Sequence, residues 1–247
     1  MKHESYERIV PGSDTAVLFL HGILGTPRHF EDLISLVPDS WSFSAPLLPG
    51  HGGSVRDFSK SSMDEWKKTA EESLLRLAKD HRRVFVAAHS MGTLFAIRLA
   101  AEKAEIIKGL FLLAVPLRLS LKMGMVENML KLYSGRIAEN DLPAVAARKA
   151  CSVTLSKNVL AYLGWIPRYL ELFSEIRAVR KLVGRMSVPA KVFQSAKDEL
   201  VSRKAADCLA ETGAECRELS CSRHYYYAPD DYKTLLEEFG IFINERL

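Results

Sequence analysis

Residues 84–100 read VFVAAHSMGTLFAIRLA. Five apolar residues, Val84 to Ala88, have the character of a buried strand, and Met91 to Lys103 has the periodicity of an amphipathic helix. Only His89 and Ser90 stand between them, so the chain must turn sharply at Ser90. The residues two places on either side, Ala88 and Gly92, are small, as a chain folding back on itself there requires. Two readings fit. In one, Ser90 sits on a strained strand-to-helix elbow that pushes its hydroxyl out at the carboxyl end of the strand, as a nucleophile. In the other, the helix simply begins there and Ser90 caps it.

The rest of the chain repeats the same unit. Strand-like runs cover Ala16 to Leu20, Trp41 to Ala45, Leu110 to Val115, Lys191 to Ser195 and Glu215 to Leu219. Helical patterns cover Glu31 to Val37, Met63 to Asp80, Ser202 to Glu211 and Asp231 to Phe239. Alternating strands and helices, with nearly continuous apolar strands, predict an α/β fold: a mostly parallel, doubly wound sheet covered on both faces. One stretch breaks the alternation. From Leu117 to Arg185 the pattern is only helical, and an insertion at the carboxyl end of a sheet lies over the site by geometry. The expected organisation is therefore a core of residues 1–116 and 186–247 with a helical cap at 117–185.

Composition narrows the function. A chain of 247 residues suits one large domain, and a net charge of +4, with no interleaving of basic and aromatic residues, does not point to nucleic acid. The start, MKHESYERIV, lacks the apolar centre of a signal peptide, and no run is long enough to predict a transmembrane helix. Cys151, Cys208, Cys216 and Cys221 form no CxxC pair and are expected to be free thiols in a reducing compartment, the cytoplasm. The histidines show no HExxH or similar spacing, so no metal site is expected.

A serine nucleophile needs a base to take its proton and an acid to hold that base. On an elbow of this kind the acid follows a late strand and the histidine follows the last one. Lys191 to Asp198, KVFQSAKD, is a strand running into a loop that carries Asp198. A turn or helix-capping aspartate is the other reading of that residue. Glu199 is the neighbouring competitor, and Asp207 lies too far into the next helix. His224 is the only histidine after residue 89, which makes it the candidate base by elimination, the alternative being a surface-loop histidine. His21, His51 and His89 read as braces for their loops. The stretch AVLFLHGILG (residues 16–25) ends a strand in His-Gly, where the backbone can approach a ligand closely. Its loop and the residue after the serine offer two backbone N–H groups, those of Ile23 and Met91, for an oxyanion hole.

With HG at 21–22, PGHGG at 49–53, AHSMG at 88–92, Asp198 and His224 in order, the chain resembles the α/β-hydrolase superfamily from about residue 15 to 240. Within it, the chain is similar to small bacterial carboxylesterases and monoacylglycerol lipases with a helical cap. The resemblance implies Ser90 as nucleophile, Asp198 as acid, His224 as base, Ile23 and Met91 as oxyanion donors, a small-molecule ester as substrate, and no cofactor. The same triad would also serve a thioesterase, an acyltransferase or a carbon–carbon bond hydrolase; a ligand-binding protein without turnover is the non-enzymatic alternative. The chain departs from the family elbow at Ala88 and Thr93, where glycines are usual, and Arg223 stands where the residue before the histidine is often small.

The cap carries the substrate question. Leu117, Leu119, Leu121, Met123, Met125, Val126, Met129, Leu130 and Leu132 crowd its first part. Tyr162, Leu163, Trp165, Ile166, Tyr169, Leu170 and Phe173 crowd its second. They pack the cap, line an acyl pocket, or both. Residues 117–185 also hold 12 Lys and Arg against 5 Asp and Glu. This is either a solvated helical surface or a face for an anionic membrane surface or an acidic carrier.

Overall fold

The computed structural model describes residues 3–120 and 122–244, apart from the side chains of Val126 and Asn128. Leu121 and the side chain of Val126, counted above among the apolar residues of the expected cap, lie outside the described residues.

Seven strands form one sheet: β1 (Tyr6–Arg8), β2 (Thr15–Leu20), β3 (Ser42–Ala45), β4 (Arg83–His89), β5 (Ile107–Leu113), β6 (Ala190–Ser195) and β7 (Glu215–Leu219). Their spatial order is β1-β3-β2-β4-β5-β6-β7, and every neighbouring pair is parallel except β1 with β3. The helices are α1 (Glu31–Ser35), α2 (Val55–Lys60), α3 (Met63–Ala78), α4 (Met91–Glu102), α5 (Met123–Ser134), α6 (Leu142–Ala150), α7 (Trp165–Arg180), α8 (Asp207–Ala210) and α9 (Pro229–Asn244). The sheet is the expected doubly wound one, and its order reverses between β2 and β4. A crevice opens at such a switch point, outside the carboxyl ends of the two strands.

Burial explains why these strands form. In β2, Ala16, Leu18 and Leu20 enter one core cluster while Val17 and Phe19 enter the other; in β4, Val84, Val86 and Ala88 alternate with Phe85 and Ala87 in the same way. Successive side chains point to opposite faces, so a strand covered on both sides must be apolar throughout. α3, α4 and α7 supply the first cluster, through residues such as Trp66, Phe95 and Ile176. α1 and α9 supply the second, through Leu33, Phe239 and Phe242.

Several elements differ from the sequence expectation. β1 has three residues, too few to show a period, and is held as an edge by pairing with β3. α2 was not foreseen, although Ser54 and Asp57 form a capping box at its start. The expected helix over Ser202 to Glu211 is a short 3₁₀ turn, Arg203–Ala205, followed by the four residues of α8. The strand expected to end at Val115 stops at Leu113, because Ala114 adopts a positive φ of 53°.

Between β5 and β6 the chain is helical, and several hydrogen bonds fasten it to the loops at the carboxyl edge of the sheet. Ser120 N–H donates to Leu200 O (2.9 Å), Lys122 N–H to Glu199 O (2.9 Å), and Ser202 N–H to Arg118 O (2.8 Å). Ser152 N–H donates to Leu24 O (2.8 Å) and Thr154 N–H to Gly53 O (2.9 Å). The indole N–H of Trp165 donates to Val55 O (3.2 Å). Beyond Trp165, α7 packs into the first core cluster through Leu172, Ile176 and Val179, and its buried Glu175 pairs with Arg98 of α4 (2.8 Å). Among the described residues, no helix is long and apolar enough to cross a membrane.

Candidate active site

The turn at Ser90 is strained. Ser90 has φ 52° and ψ −123°, a conformation L-residues rarely adopt. It occupies the N-cap position of α4, yet its side chain makes no capping hydrogen bond, so the simple-cap reading does not describe it. The backbone is locked instead by Ser90 N–H donating to Leu113 O and by Thr93 N–H donating to Ser90 O, each at 2.9 Å. Thr93, a departure from the family pattern, adds a hydroxyl donor to Ser90 O at 2.6 Å. Gly92 has a different cause from the one expected. A Cβ there would lie 2.1 Å from Leu20 O, so the neighbouring strand β2, rather than the hinge's own chain, demands glycine. Ala88 is fully buried and its methyl is part of the first core cluster.

Ser90, Asp198 and His224 come from the ends of β4, β6 and β7, and the fold brings them together. His224 Nδ1–H donates to Asp198 Oδ2 at 2.9 Å. That tautomer leaves Nε2 as an acceptor, 3.1 Å from Ser90 Oγ, whose O–H points the proton at it. His224 and Asp198 are 1% exposed and Ser90 6%. The other oxygen of Asp198, Oδ1, accepts the N–H groups of Leu200 (2.8 Å) and Val201 (2.9 Å). Burial alone would raise the Asp198 carboxyl, but His224 and these N–H donors hold it below the usual carboxylate value. Burial alone would lower His224; Asp198, with a further push from Glu199, leaves it raised. Arg223 does not disturb this presentation: its N–H donates to Tyr226 O at 2.7 Å, closing the turn that carries His224.

The loop after β2 reaches the same point. A Cβ on Gly22 would lie 2.9 Å from Ser90 Cβ, so only glycine lets this backbone approach the serine. Gly25 N–H donates to Gly22 O (2.9 Å), closing a turn around Ile23 and Leu24. Leu24 has φ 57°, and its carbonyl is held by both the N–H and the hydroxyl of Ser152. Met91 is the first residue of α4, so its N–H has no partner within the helix. The N-terminal end of a helix carries a partial positive charge, which suits an anion.

The other histidines brace these loops. His21 Nδ1–H donates to Gly22 O (2.9 Å), and its Nε2 accepts Leu48 N–H (3.1 Å). His89 Nε2–H donates to His224 O at 3.0 Å, tying the elbow to the histidine loop. His51 Nδ1–H donates to Pro49 O (3.2 Å). Burial pushes His21 and His89 well below the ordinary value and lowers His29 and His51 to about 4, so all four are neutral near pH 7.

Sequence reasoning missed some neighbours of the site. The His29 ring lies 4.2 Å from that of His89. Tyr225 stands between His224 and the β2 loop, its ring 4.7 Å from His224 and its hydroxyl donating to Ile23 O at 3.4 Å. Its position directly after His224 was the only signal. Ser152 lies 128 residues from Leu24 in sequence, and no local pattern announces such a contact. Among the described residues, no group of His, Cys, Asp and Glu could hold a metal ion.

Comparison with known proteins agrees with this architecture. The model of the alpha/beta hydrolase family matches residues 17–237. Comparison with curated protein sequences found no match. Similar solved structures include one from work on LipS and LipT, two metagenome-derived lipolytic enzymes (TM-score 0.74, 20% identity, 98% of this chain and 97% of that one). The Paleococcus ferrophilus monoacylglycerol lipase aligns with a TM-score of 0.69 at 19% identity over 100% of both chains. The enol-lactonase from Burkholderia xenovorans LB400 aligns with a TM-score of 0.60 at 16% identity, covering 97% of this chain and 96% of that one.

Proposed function

The chain belongs to the alpha/beta hydrolase family, and from that premise we propose that it hydrolyses carboxylic esters of small or lipophilic acyl groups through an acyl-enzyme. The observation that carries this reading is the unbroken relay from Ser90 Oγ through His224 to Asp198, with the serine on a strained elbow. Ser90 Oγ attacks the ester carbonyl carbon as its proton passes to His224 Nε2. Asp198 holds the imidazole and stabilises its charged form. The N–H groups of Ile23 and Met91 stabilise the oxyanion, each donor contributing about 10²–10³ in rate. The carbon–oxygen bond to the alcohol breaks, and the alcohol leaves with the proton from His224. Water then attacks the acyl carbon, giving its proton to His224. The bond to Ser90 breaks, and the proton returns to the serine as the acid leaves.

The same relay serves a thioester, an acyl acceptor other than water, or an activated carbon–carbon bond. We assign ester hydrolysis first because two of the structural relatives named above are described as lipolytic enzymes or a lipase. A rate series of aryl esters graded by acyl length, set beside matched thioesters, tests it. Ester turnover with a single optimum in chain length is expected. Turnover of thioesters alone, or of neither class by a folded protein, contradicts it. The four free cysteines suit the reducing cytoplasm proposed as its location.

The helical segment 117–185 is proposed as a cap over this site, and its outer surface as a contact for anionic lipid. Val159, Leu160, Leu163, Ile166, Leu170 and Phe173 are 68%, 73%, 61%, 54%, 59% and 38% exposed along one ridge. An apolar patch of this kind marks an interaction site, and the surrounding excess of Lys and Arg gives the complementary charge. Sedimentation with phosphatidylcholine vesicles, with and without phosphatidylglycerol, at low salt tests it. Binding that rises with anionic lipid is expected; equal binding to both contradicts it, and binding to an acidic carrier protein in place of vesicles assigns the face to that partner.

A further inference from the structure

The acid loop carries two buried carboxylates, and the mechanism above uses one. Glu199, next to Asp198, is 7% exposed. Its Oε2 accepts the backbone N–H of His224 at 3.3 Å. Asp198 thus holds the imidazole by its Nδ1–H while Glu199 holds the same residue by its main chain. Two cations lie near the main chain of this pair. Lys122, at the start of α5, gives its N–H to Glu199 O (2.9 Å) and its ammonium to Asp198 O (2.6 Å). The guanidinium of Arg223 and the Cβ of Glu199 flank Gly124, at 3.8 Å and 3.9 Å from where its Cβ would be.

We propose that Glu199 is a positioning residue for His224: it fixes the histidine loop through the backbone N–H and places a second negative charge behind the imidazole. Other groups among the described residues also face His224. From β4 and the elbow come His89, neutral, and Ser90. From the 3₁₀ turn Pro27–Phe30 comes His29, also neutral, and from the histidine loop itself come Arg223 and Tyr225. Burial raises the Tyr225 phenol, so it too is uncharged near pH 7. Asp198 and Glu199 are therefore the negative charges that His224 meets as it becomes an imidazolium, and both push its proton affinity upward. The role of Glu199 depends on its charge as well as on its hydrogen bond, which separates it from a loop prop.

The proposal rests on Ser90 being the nucleophile, and the test keeps the two apart. The rate of Ser90 modification by a fluorophosphonate is measured against pH for the wild type, Glu199→Gln, Glu199→Asp and Glu199→Ala. No ester substrate is needed, and thermal melts report folding. The rate rises as His224 loses its proton. Removing a nearby negative charge makes the imidazolium less favourable, so the midpoint for Glu199→Gln should fall by roughly 0.5 pH unit or more. Its plateau should stay within about threefold of wild type, because the amide oxygen can still accept the His224 N–H. Glu199→Asp should keep the wild-type midpoint with a lower plateau. Glu199→Ala should combine the lowered midpoint with the lower plateau, and it replaces Glu199→Gln if that variant does not fold. A folded Gln or Ala variant whose midpoint does not move overturns the proposal while leaving Ser90 intact. A wild type that is never modified at Ser90 overturns the reading on which it rests.

Discussion

The elbow and the helical segment between β5 and β6 answer to opposite demands. In α4, nine of twelve residues are buried, and Ser90 holds a rare backbone conformation fixed by hydrogen bonds with Leu113 and Thr93, while Leu20 O crowds Gly92 two residues on. In the 3₁₀ turn Val159–Gly164, no residue is buried, and apolar side chains face outward. Strain can persist only where the surroundings over-determine it. Ser90 therefore keeps its strained turn in a buried setting, whereas the exposed turn at 159–164 is under no such constraint. On the function proposed above, reaction type belongs to the core and specificity to the proposed cap.

That contrast can be broken most sharply at two glycines. Gly92→Ala forces a methyl against the Leu20 and His21 carbonyls at the end of β2, and should cost about 3 kcal/mol or more of stability in denaturant unfolding. Gly135 closes α5 in the left-handed region with φ 68°, and nothing lies within 4 Å of an added Cβ. Gly135→Ala should therefore cost only about 1 kcal/mol, from the backbone alone. Equal losses at the two sites would erase the distinction between them.

Acid provides the intermediate test. His21, His29, His51 and His89 are held below their ordinary value in the fold, and residues 117–185 contain no histidine. Below pH 6.5 the unfolded chain binds protons that the folded one refuses, so stability must fall as pH falls. The slope should reach about 1.4 kcal/mol per pH unit for each such histidine. For His29 and His51 the loss continues down to about pH 4. His224, raised, acts with the opposite sign: its contribution is complete below pH 6.5 and is lost as pH rises through its folded value. Melts between pH 7 and pH 4.5 should drop steeply, with amide exchange quickening first around the loops after β2 and β4. A flat profile would show that these histidines are not buried neutral. The smallest effect belongs to the exposed ridge. Leu163→Ser with Ile166→Ser should shift stability by less than about 0.5 kcal/mol per site, while vesicle binding weakens. A large loss of stability would mean that the ridge is core.

How much of this was legible follows the same division. The strands of the buried sheet were readable because burial on two faces forces unbroken apolar runs, as in Val84 to Ala88. Ser90 and His224 were readable because an elbow needs small neighbours and the chain offers one late histidine. The three-residue β1 and the fragment at α8 were not, since their positions depend on pairing and packing far away in sequence. Ser152, whose two donors hold Leu24, and Tyr225, whose hydroxyl meets Ile23 O, carry no local mark. Glu199 was visible only as a rival to Asp198. Geometry places the two on different parts of His224, one on its ring and the other on its main chain.

The central claim is that Ser90 is the activated nucleophile of this fold. Intact-protein mass spectrometry after fluorophosphonate treatment, followed by peptide mapping, tests it most directly. One adduct per chain is expected, on the peptide carrying Ser90, absent in Ser90→Ala and slowed by at least about 10³ in His224→Ala. An adduct on another residue, or an unmodified folded protein, would contradict it.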